Sequence, residues 1–506
     1  MSKVKFPLMA VSLLYLLLPL GLFLIFWVKW WIGLPLFISV CWALWATMPA
    51  YDVSVYRVRE ILLLLGIAIA LGLLSGMGGF FPQQDDYIKH NLLWQDLVSL
   101  DWPIFYTHEA PLNYYVGYYL VPAFLSKMLG MASLAWSTLL WGSLGIWLIS
   151  LWVWNYAGNL RWLGLAIFFL FAGQDFLWGI LVHLRYMLMI GEWPPLLLAE
   201  MGLPQEFGLA HKIQGHFSHL LWAPQHFVGG ALATFLFISA LERGVQISFY
   251  LGIIGLSLLW SPLISIGLLP FFLLENRRGV WTAKTRKLEL LPVMALILVL
   301  GSYYLAHQPL ETKAFIWQAQ PFIKWVPFFL FFVLMKFLPL AGLLTLNLKQ
   351  HPDNFHRKVL FVSTGFLILL MTIYLGYAND GYMRISFPAW LALSMLLLVA
   401  LQKGHTKGYL RTGLWLWVGG AAIVPLFLIG QQVVTFTEGK SVYPNTLAHP
   451  EKTLFLIDEV YQEQDIYMGT SIQSQYLGER ESIFYQFLSP APDSSQSNKT
   501  HNSKID

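Results

Sequence analysis

The chain has 506 residues, of which 57% are hydrophobic and only 11% charged, with a formal net charge of +4. A mean hydropathy of +0.60 exceeds what one water-soluble core of this length needs, and the modest charge gives no reason to expect a nucleic-acid partner. The single cysteine, Cys41, lies inside an apolar segment, which excludes an intrachain disulfide and argues against thiol-ligated metal or redox chemistry.

Taken in order, the apolar segments are 7–28, 31–50, 60–78, 134–154, 161–181, 227–241, 246–260, 262–274, 288–306, 325–346, 359–377, 385–402 and 412–434. Roughly 20 apolar residues cross a bilayer, so the expected class is an all-α polytopic membrane protein with about 13 transmembrane helices. The first segment follows Lys3 and Lys5 as a signal peptide would, but it is too long for an h-region and no small-residue cleavage site follows, so it reads as a retained span.

Lys and Arg accumulate in short cytoplasmic loops. A cytoplasmic N-terminus predicts basic residues in every second connection, and they occur there: Arg57 and Arg59, Arg161, Arg243, the group from Arg277 to Lys287, then Lys349, Arg357 and Lys358, then Lys403, Lys407 and Arg411; Lys29 is a weak exception. Two local readings support this register. The tyrosine-rich stretch Pro111 to Leu129 is taken as an interfacial helix, and the stretch 246–274 as a hairpin broken near Ser261 and Pro262. The extracytoplasmic segments are then a large first loop, 79–133, a large second loop, 182–226, the connections 307–324 and 378–384, and a small tail, 435–506. In the tail "LFLIDEV" and "QYLGERESIFYQFL" suggest small elements, with disorder from about residue 490. The unit 1–434 forms one transmembrane domain, in a multi-pass plasma (inner) membrane.

The candidate chemistry lies in those outer segments. "PQQDDYIKH" places Asp85 and Asp86 at the membrane boundary, with Lys89 and His90 one helical turn on. A partly desolvated carboxylate beside a cation suits a general base, while Asp96 and Asp101 read as helix-surface or capping residues. The second loop holds Arg185, Lys212, His216, His219, Gln225 and His226. No histidine pair has i, i+4 spacing and no HExxH occurs, so the histidines are expected as neutral donors to a phosphate or sugar, or as interface residues, rather than zinc ligands. Asn379, Asp380 and Arg384 lie at the top of a later helix, where a guanidinium either pairs with Asp380 or clamps an anionic headgroup.

These groups share the side of the membrane that lacks nucleotide-activated substrates. A transferase working there needs a lipid-linked donor: Asp85 or Asp86 as base, Arg384, Lys89, His90, Arg185 and Lys212 toward the donor phosphate, and Glu109, His216, His219, Gln225, His226, Asn379 and Asp380 toward acceptor or sugar. One base and direct displacement predict inversion at the anomeric carbon.

With "QQDDYIKHN", the following "PLNYYVGYYL", two spans around a basic turn and a second polar outer loop, the layout over roughly residues 55 to 260 resembles the C-type (GT-C) glycosyltransferase superfamily, which includes protein O-mannosyltransferases and lipid A aminoarabinose transferases. The resemblance implies a GT-C-like fold, a polyprenyl-phosphate-linked sugar as donor, a glycan, lipid or protein as acceptor, and the acidic residue of the first outer loop as catalytic base. Such relatives usually carry one span before the acidic loop, so residues 1–56 form an extra N-terminal hairpin. Oligosaccharyltransferase-like members bind a divalent metal through loop acids; Asp175, Glu192 and Glu206 are the corresponding candidates, although the metal-free mechanism, with no cofactor, is the primary expectation. A transporter or flippase of lipid-linked saccharides is the competing class. It predicts charge near mid-bilayer, for which Lys336 is the clearest candidate. An O-antigen ligase or polymerase is the same physical class as the transferase with another acceptor.

Overall fold

The computed structural model describes residues 3–49, 54–106, 110–191, 213–272, 274, 287–307, 315–319, 322–350, 353–375, 379–402, 408–439, 453–463 and 473–490. The chain begins with a strand, β1 (Lys3–Phe6), which pairs antiparallel with β2 (Ser54–Arg57), Lys3 opposite Arg57. Between them run α1 (Leu8–Phe26) and α2 (Trp30–Thr47). Gly33 permits their close approach, since a Cβ there would sit 1.8 Å from the carbonyl oxygen of Leu24. The residues read as an appended hairpin are not peripheral: α1 packs against the helices that carry the polar loops, and its Tyr15 stacks on Trp141 at 4.0 Å and on Trp260 at 5.5 Å in the centre of the core.

Next come α3 (Val58–Leu74), α4 (Asp86–Ser99), α5 (Gly117–Leu129) and α6 (Leu134–Tyr156). α3 starts with a capping box, the Arg57 N–H donating to Glu60 Oε2 at 2.8 Å, and Glu60 Oε1 also accepts from Arg161 at 3.1 Å. Tyr56 donates to the carbonyl of Leu151 at 3.3 Å and Asn155 to the hydroxyl of Ser54 at 2.8 Å, so both strands and the end of α6 share one end of the bundle. Tyr156, Glu242 and His356 border one crevice at that end. Arg57, Arg161, Arg243 and Arg357, expected on one side from their alternation along the chain, therefore do lie near one another.

The segment 161–181 is not one helix. It divides into α7 (Arg161–Phe169) and α8 (Asp175–Ile190), with a non-helical break at 171–174. The break is held by others: the Gln174 N–H donates to the carbonyl of Met335 at 3.0 Å, its side chain to that of Trp417 at 2.9 Å, and the His216 N–H to that of Phe171 at 2.9 Å. α9 (His216–Trp222) and α10 (Pro224–Arg243) are separated only by Ala223, because Pro224 has no N–H to continue the first helix and suits the first turn of the second. α11 (Ile247–Trp260) and α12 (Pro262–Phe272) meet at Ser261 and fold back on each other. Ser257 and Ser265 hydroxyls lie 2.8 Å apart and the Tyr250 and Phe272 rings 6.2 Å apart, impossible for a continuous helix.

The remaining long helices are Lys287–Leu305, Phe322–Lys336, Leu338–Gln350, Asn354–Leu370, Asp380–Gln402 and Gly408–Thr437. Among the described residues seven helices are long and apolar enough to cross a membrane: Leu8–Phe26, Trp30–Thr47, Met131–Tyr156, Pro224–Arg243, Leu288–Leu305, Gly381–Gln402 and Gly408–Thr437. The number is up to eight if Phe329–Lys336 and Leu338–Gln350, bent by 48°, form one span. The other apolar segments all fall on helices that are shorter or broken, such as α3 with 17 residues, α11 with 14 and α12 with 11. Hydropathy counts apolar residues; it does not register the proline and loop breaks that shorten a helix.

Candidate functional site

The site is built at the end of the bundle away from β1 and β2. After α3 the chain reverses through Gly76, Gly78 and Gly79, all at positive φ (84°, 74° and 73°), a conformation that costs glycine little. Gln83 pins the turn, donating to the carbonyl of Gly76 at 2.8 Å and accepting from Asn91 at 2.8 Å. This sets the direction of α4 and fixes where Asp85, Asp86, Lys89 and His90 stand.

Asp86 forms an ion pair with Lys89. Burial favours its protonated form, but the Lys89 charge, helped by His90 and Arg384, outweighs burial and holds the carboxyl below its ordinary range. Asp85 goes the other way: burial, then the neighbouring Asp86 carboxylate, raise it to about 6. Two adjacent carboxylates thus have opposite proton affinities. His90 is buried and pushed down to about 4 by desolvation, so it is neutral at pH 7. Its Nδ1 lies 2.7 Å from the hydroxyl of Tyr119 and its Nε2 3.4 Å from the carbonyl oxygen of Trp222, an acceptor only. These partners assign the proton to Nε2, with Nδ1 accepting from Tyr119.

Around this helix face, the ring of Tyr115 lies 4.8 Å from the imidazole of His226 and 5.8 Å from the guanidinium of Arg384. Tyr115 also hydrogen-bonds to Tyr114, whose ring lies 4.4 Å from Tyr476. His226 is fully buried and, among the described residues, neither of its ring nitrogens has a hydrogen-bond partner, nor does Nε2 of His219, 6.5 Å away between ring centres. Buried polar atoms of this kind are costly unless a ligand or solvent meets them. Burial, then the neighbouring His216 and Arg384, push His219 down to about 3, leaving it neutral.

The site thus draws together Asp85, Asp86, Lys89, His90, His219, His226 and Arg384 from three separate stretches of chain. Other expected residues have different roles or positions. His216 is packed among Phe168, Phe171 and Phe387, with Nδ1 2.8 Å from the carbonyl of Phe168. Asn379 caps its own turn at φ 57°, accepting from the Leu375 N–H at 2.8 Å and donating to the carbonyl of Ile373 at 3.3 Å, so its amide is already engaged. Gln225 is buried and its Oε1 has no hydrogen-bond partner among the described residues. Glu109, Lys212, Glu192 and Glu206 lie outside the described residues, as do the side chains of Arg185 and Asp380 and the tail beyond 490. Asp175 is ion-paired to Lys336, both side chains buried, and Lys336 also donates to the carbonyl of Ile213 at 2.7 Å. Among the described residues no group of three or more His, Cys, Asp or Glu could hold a metal ion.

Three features were not anticipated. The interfacial helix begins only at Gly117, and its tyrosines, notably Tyr118 and Tyr119, are buried in the site rather than facing an interface. Residues 473–490 dock on the first outer loop: the Asn113 N–H donates to the carbonyl of Tyr476 at 2.8 Å, and the Gly478 N–H to that of Pro111 at 2.9 Å. Asp96, expected at the surface, is only 2% exposed and ties the tail down, accepting from the Tyr106 hydroxyl at 2.7 Å and the Leu454 N–H at 3.0 Å.

Burial lifts Asp96 from an ordinary 3.8 to about 7. Between those values the folded chain holds a proton that the unfolded chain has lost, so stability falls as pH rises through this window. Asp96→Asn, which keeps an acceptor and cannot ionise, is expected to raise the thermal midpoint relative to wild type increasingly from pH 5 to pH 8. Asp96→Ala leaves two donors without partners, at roughly 1–3 kcal/mol each, and is expected to lower the midpoint throughout. Equal midpoints for Asn and wild type at pH 8 would show that burial of Asp96 carries no such penalty.

No family model matches this chain, and no curated protein or solved structure matches it either.

Proposed function

We propose that this chain is a membrane glycosyltransferase that moves a sugar, with inversion, from a polyprenyl-phosphate donor to an extracytoplasmic acceptor. The observation that carries the reading is the divided carboxylate pair, Asp85 raised and Asp86 held low, beside a cluster of Lys89, His90, His226 and Arg384. The basic residues near β1 and β2 support a cytoplasmic location for that end; with that orientation the site faces outward, where the donor must be lipid-linked. The shorter helices would complete up to thirteen crossings.

In-line displacement places the base and the leaving phosphate on opposite sides of the anomeric carbon. Asp86 belongs to the phosphate side because it is bound to Lys89. Asp85 is the base: it takes the acceptor hydroxyl proton as the new C–O bond forms, and the bond to the polyprenyl phosphate breaks with its electron pair left on the phosphate oxygen. Arg384 and Lys89 stabilise the charge that develops there. His226, whose ring nitrogens are not engaged among the described residues, offers an N–H donor, whereas His90 is already held by Tyr119 and Trp222, and the Tyr114, Tyr115 and Tyr476 rings supply a flat apolar wall suited to a sugar face.

Arg384→Ala is expected to weaken binding of decaprenyl phosphate by about tenfold or more, the range for a charge-assisted hydrogen bond. Titration of purified protein in detergent measures it, and unchanged affinity would remove Arg384 from the donor site. A second reading, transport of a lipid-linked saccharide, draws support from the buried Asp175–Lys336 pair. That pair is closed on itself and on Ile213, which favours a structural role.

A further inference from the structure

At the proposed cytoplasmic end, away from the proposed active site, the helices Leu338–Gln350 and Asn354–Leu370 form a hairpin joined by only a few residues. The groove between them has a volume of about 550 Å³. Its open part is apolar: Gly342 leaves one wall bare, a Cβ there would meet nothing within 4 Å, and Phe361 on the other wall is 78% exposed. Its closed end presents two cations, Lys349 and Arg357, one from each helix, both exposed. Among the described residues neither has an acidic partner, because the nearby Asp353 carboxylate caps the second helix and binds His356. Inside the groove the Thr364 hydroxyl has no hydrogen-bond partner among the described residues.

An apolar trough that ends in two unneutralised cations at the level of a membrane surface has the amphiphilic order of a lipid. We propose that this groove binds one anionic glycerophospholipid of the cytoplasmic leaflet, with its phosphate between Lys349 and Arg357, its glycerol region near Thr345, one helical turn from Lys349, and an acyl chain along Phe361, Gly342 and Thr364. A zwitterionic lipid offers the same chains, but its choline group repels both cations, so selectivity rests on the headgroup. The site is independent of sugar transfer at the other end of the bundle.

The test is native mass spectrometry of the full-length protein, released from detergent after incubation with dioleoylphosphatidylglycerol, dioleoylphosphatidylcholine or inorganic phosphate. Wild type is expected to retain one phosphatidylglycerol about tenfold or more in preference to phosphatidylcholine, the scale for two basic side chains near an anionic headgroup. Lys349→Ala combined with Arg357→Ala, at exposed positions where folding is not at issue, is expected to abolish the preference. Gly342→Trp, which fills the trough and keeps both charges, is expected to remove the bound lipid. Equal retention of both lipids by wild type, undiminished preference in the double variant, retention in Gly342→Trp, or inorganic phosphate binding that displaces no lipid would each overturn the proposal.

Discussion

Asp85→Asn is expected to lower turnover of a polyprenyl-phosphate-linked sugar by about 10²- to 10⁴-fold, the usual contribution of a positioned base, while leaving donor KM nearly unchanged. The asymmetry with Asp86 makes the experiment decisive. Asp85 is raised to about 6 by burial and by its neighbour Asp86, against the lowering effect of Lys89, which places its proton affinity nearer neutrality than that of an ordinary carboxylate. Asp86→Asn instead releases Lys89, so its main effect is expected on donor KM. The pH profile follows from the same group: kcat/KM in wild type should fall about tenfold per pH unit below about 6, as Asp85 takes up a proton. Full turnover in Asp85→Asn with loss in Asp86→Asn would exchange the two roles; full turnover in both would remove the base altogether.

The second large effect concerns stability. Lys336→Met leaves the Asp175 carboxylate buried without its counter-charge, and removing one partner of such a pair costs about 3–5 kcal/mol. The pair closes the break between α7 and α8, and Lys336 also holds the carbonyl of Ile213 just ahead of α9, so a loosened pair should displace His219 and His226 as well. Combining Lys336→Met with Asp175→Leu replaces both charges by apolar groups and is expected to recover most of the loss. Thermal unfolding of wild type and the two variants in detergent measures it. A single variant no less stable than the double would mean that the pair contributes nothing as a pair.

Much of the architecture was legible because hydropathy and proline act locally. The apolar segments coincide with helices, whole or broken, and the turn at Ser261 and Pro262 follows from a residue that cannot continue a helix. The break at 171–174 was not legible, since its residues are themselves apolar and it is held open by partners as distant as Met335 and Trp417. Within the site, Asp85, Asp86, Lys89 and His90 stood out because charge beside an apolar segment is conspicuous. Tyr476 carried no signal, being some hundreds of residues from the tyrosines it joins. Asp96 was misplaced because a short polar side chain reads as surface until the donors it accepts from are found inside the fold.

The most direct measurement places the purified protein in liposomes with a polyprenyl-phosphate-linked sugar radiolabelled in the sugar, and follows released polyprenyl phosphate together with the position of the label. Glycosyl transfer should release polyprenyl phosphate in proportion to label leaving the lipid, at a rate that Asp85→Asn abolishes. Label that crosses the bilayer still attached to its lipid, with no polyprenyl phosphate released, would contradict transfer and establish transport.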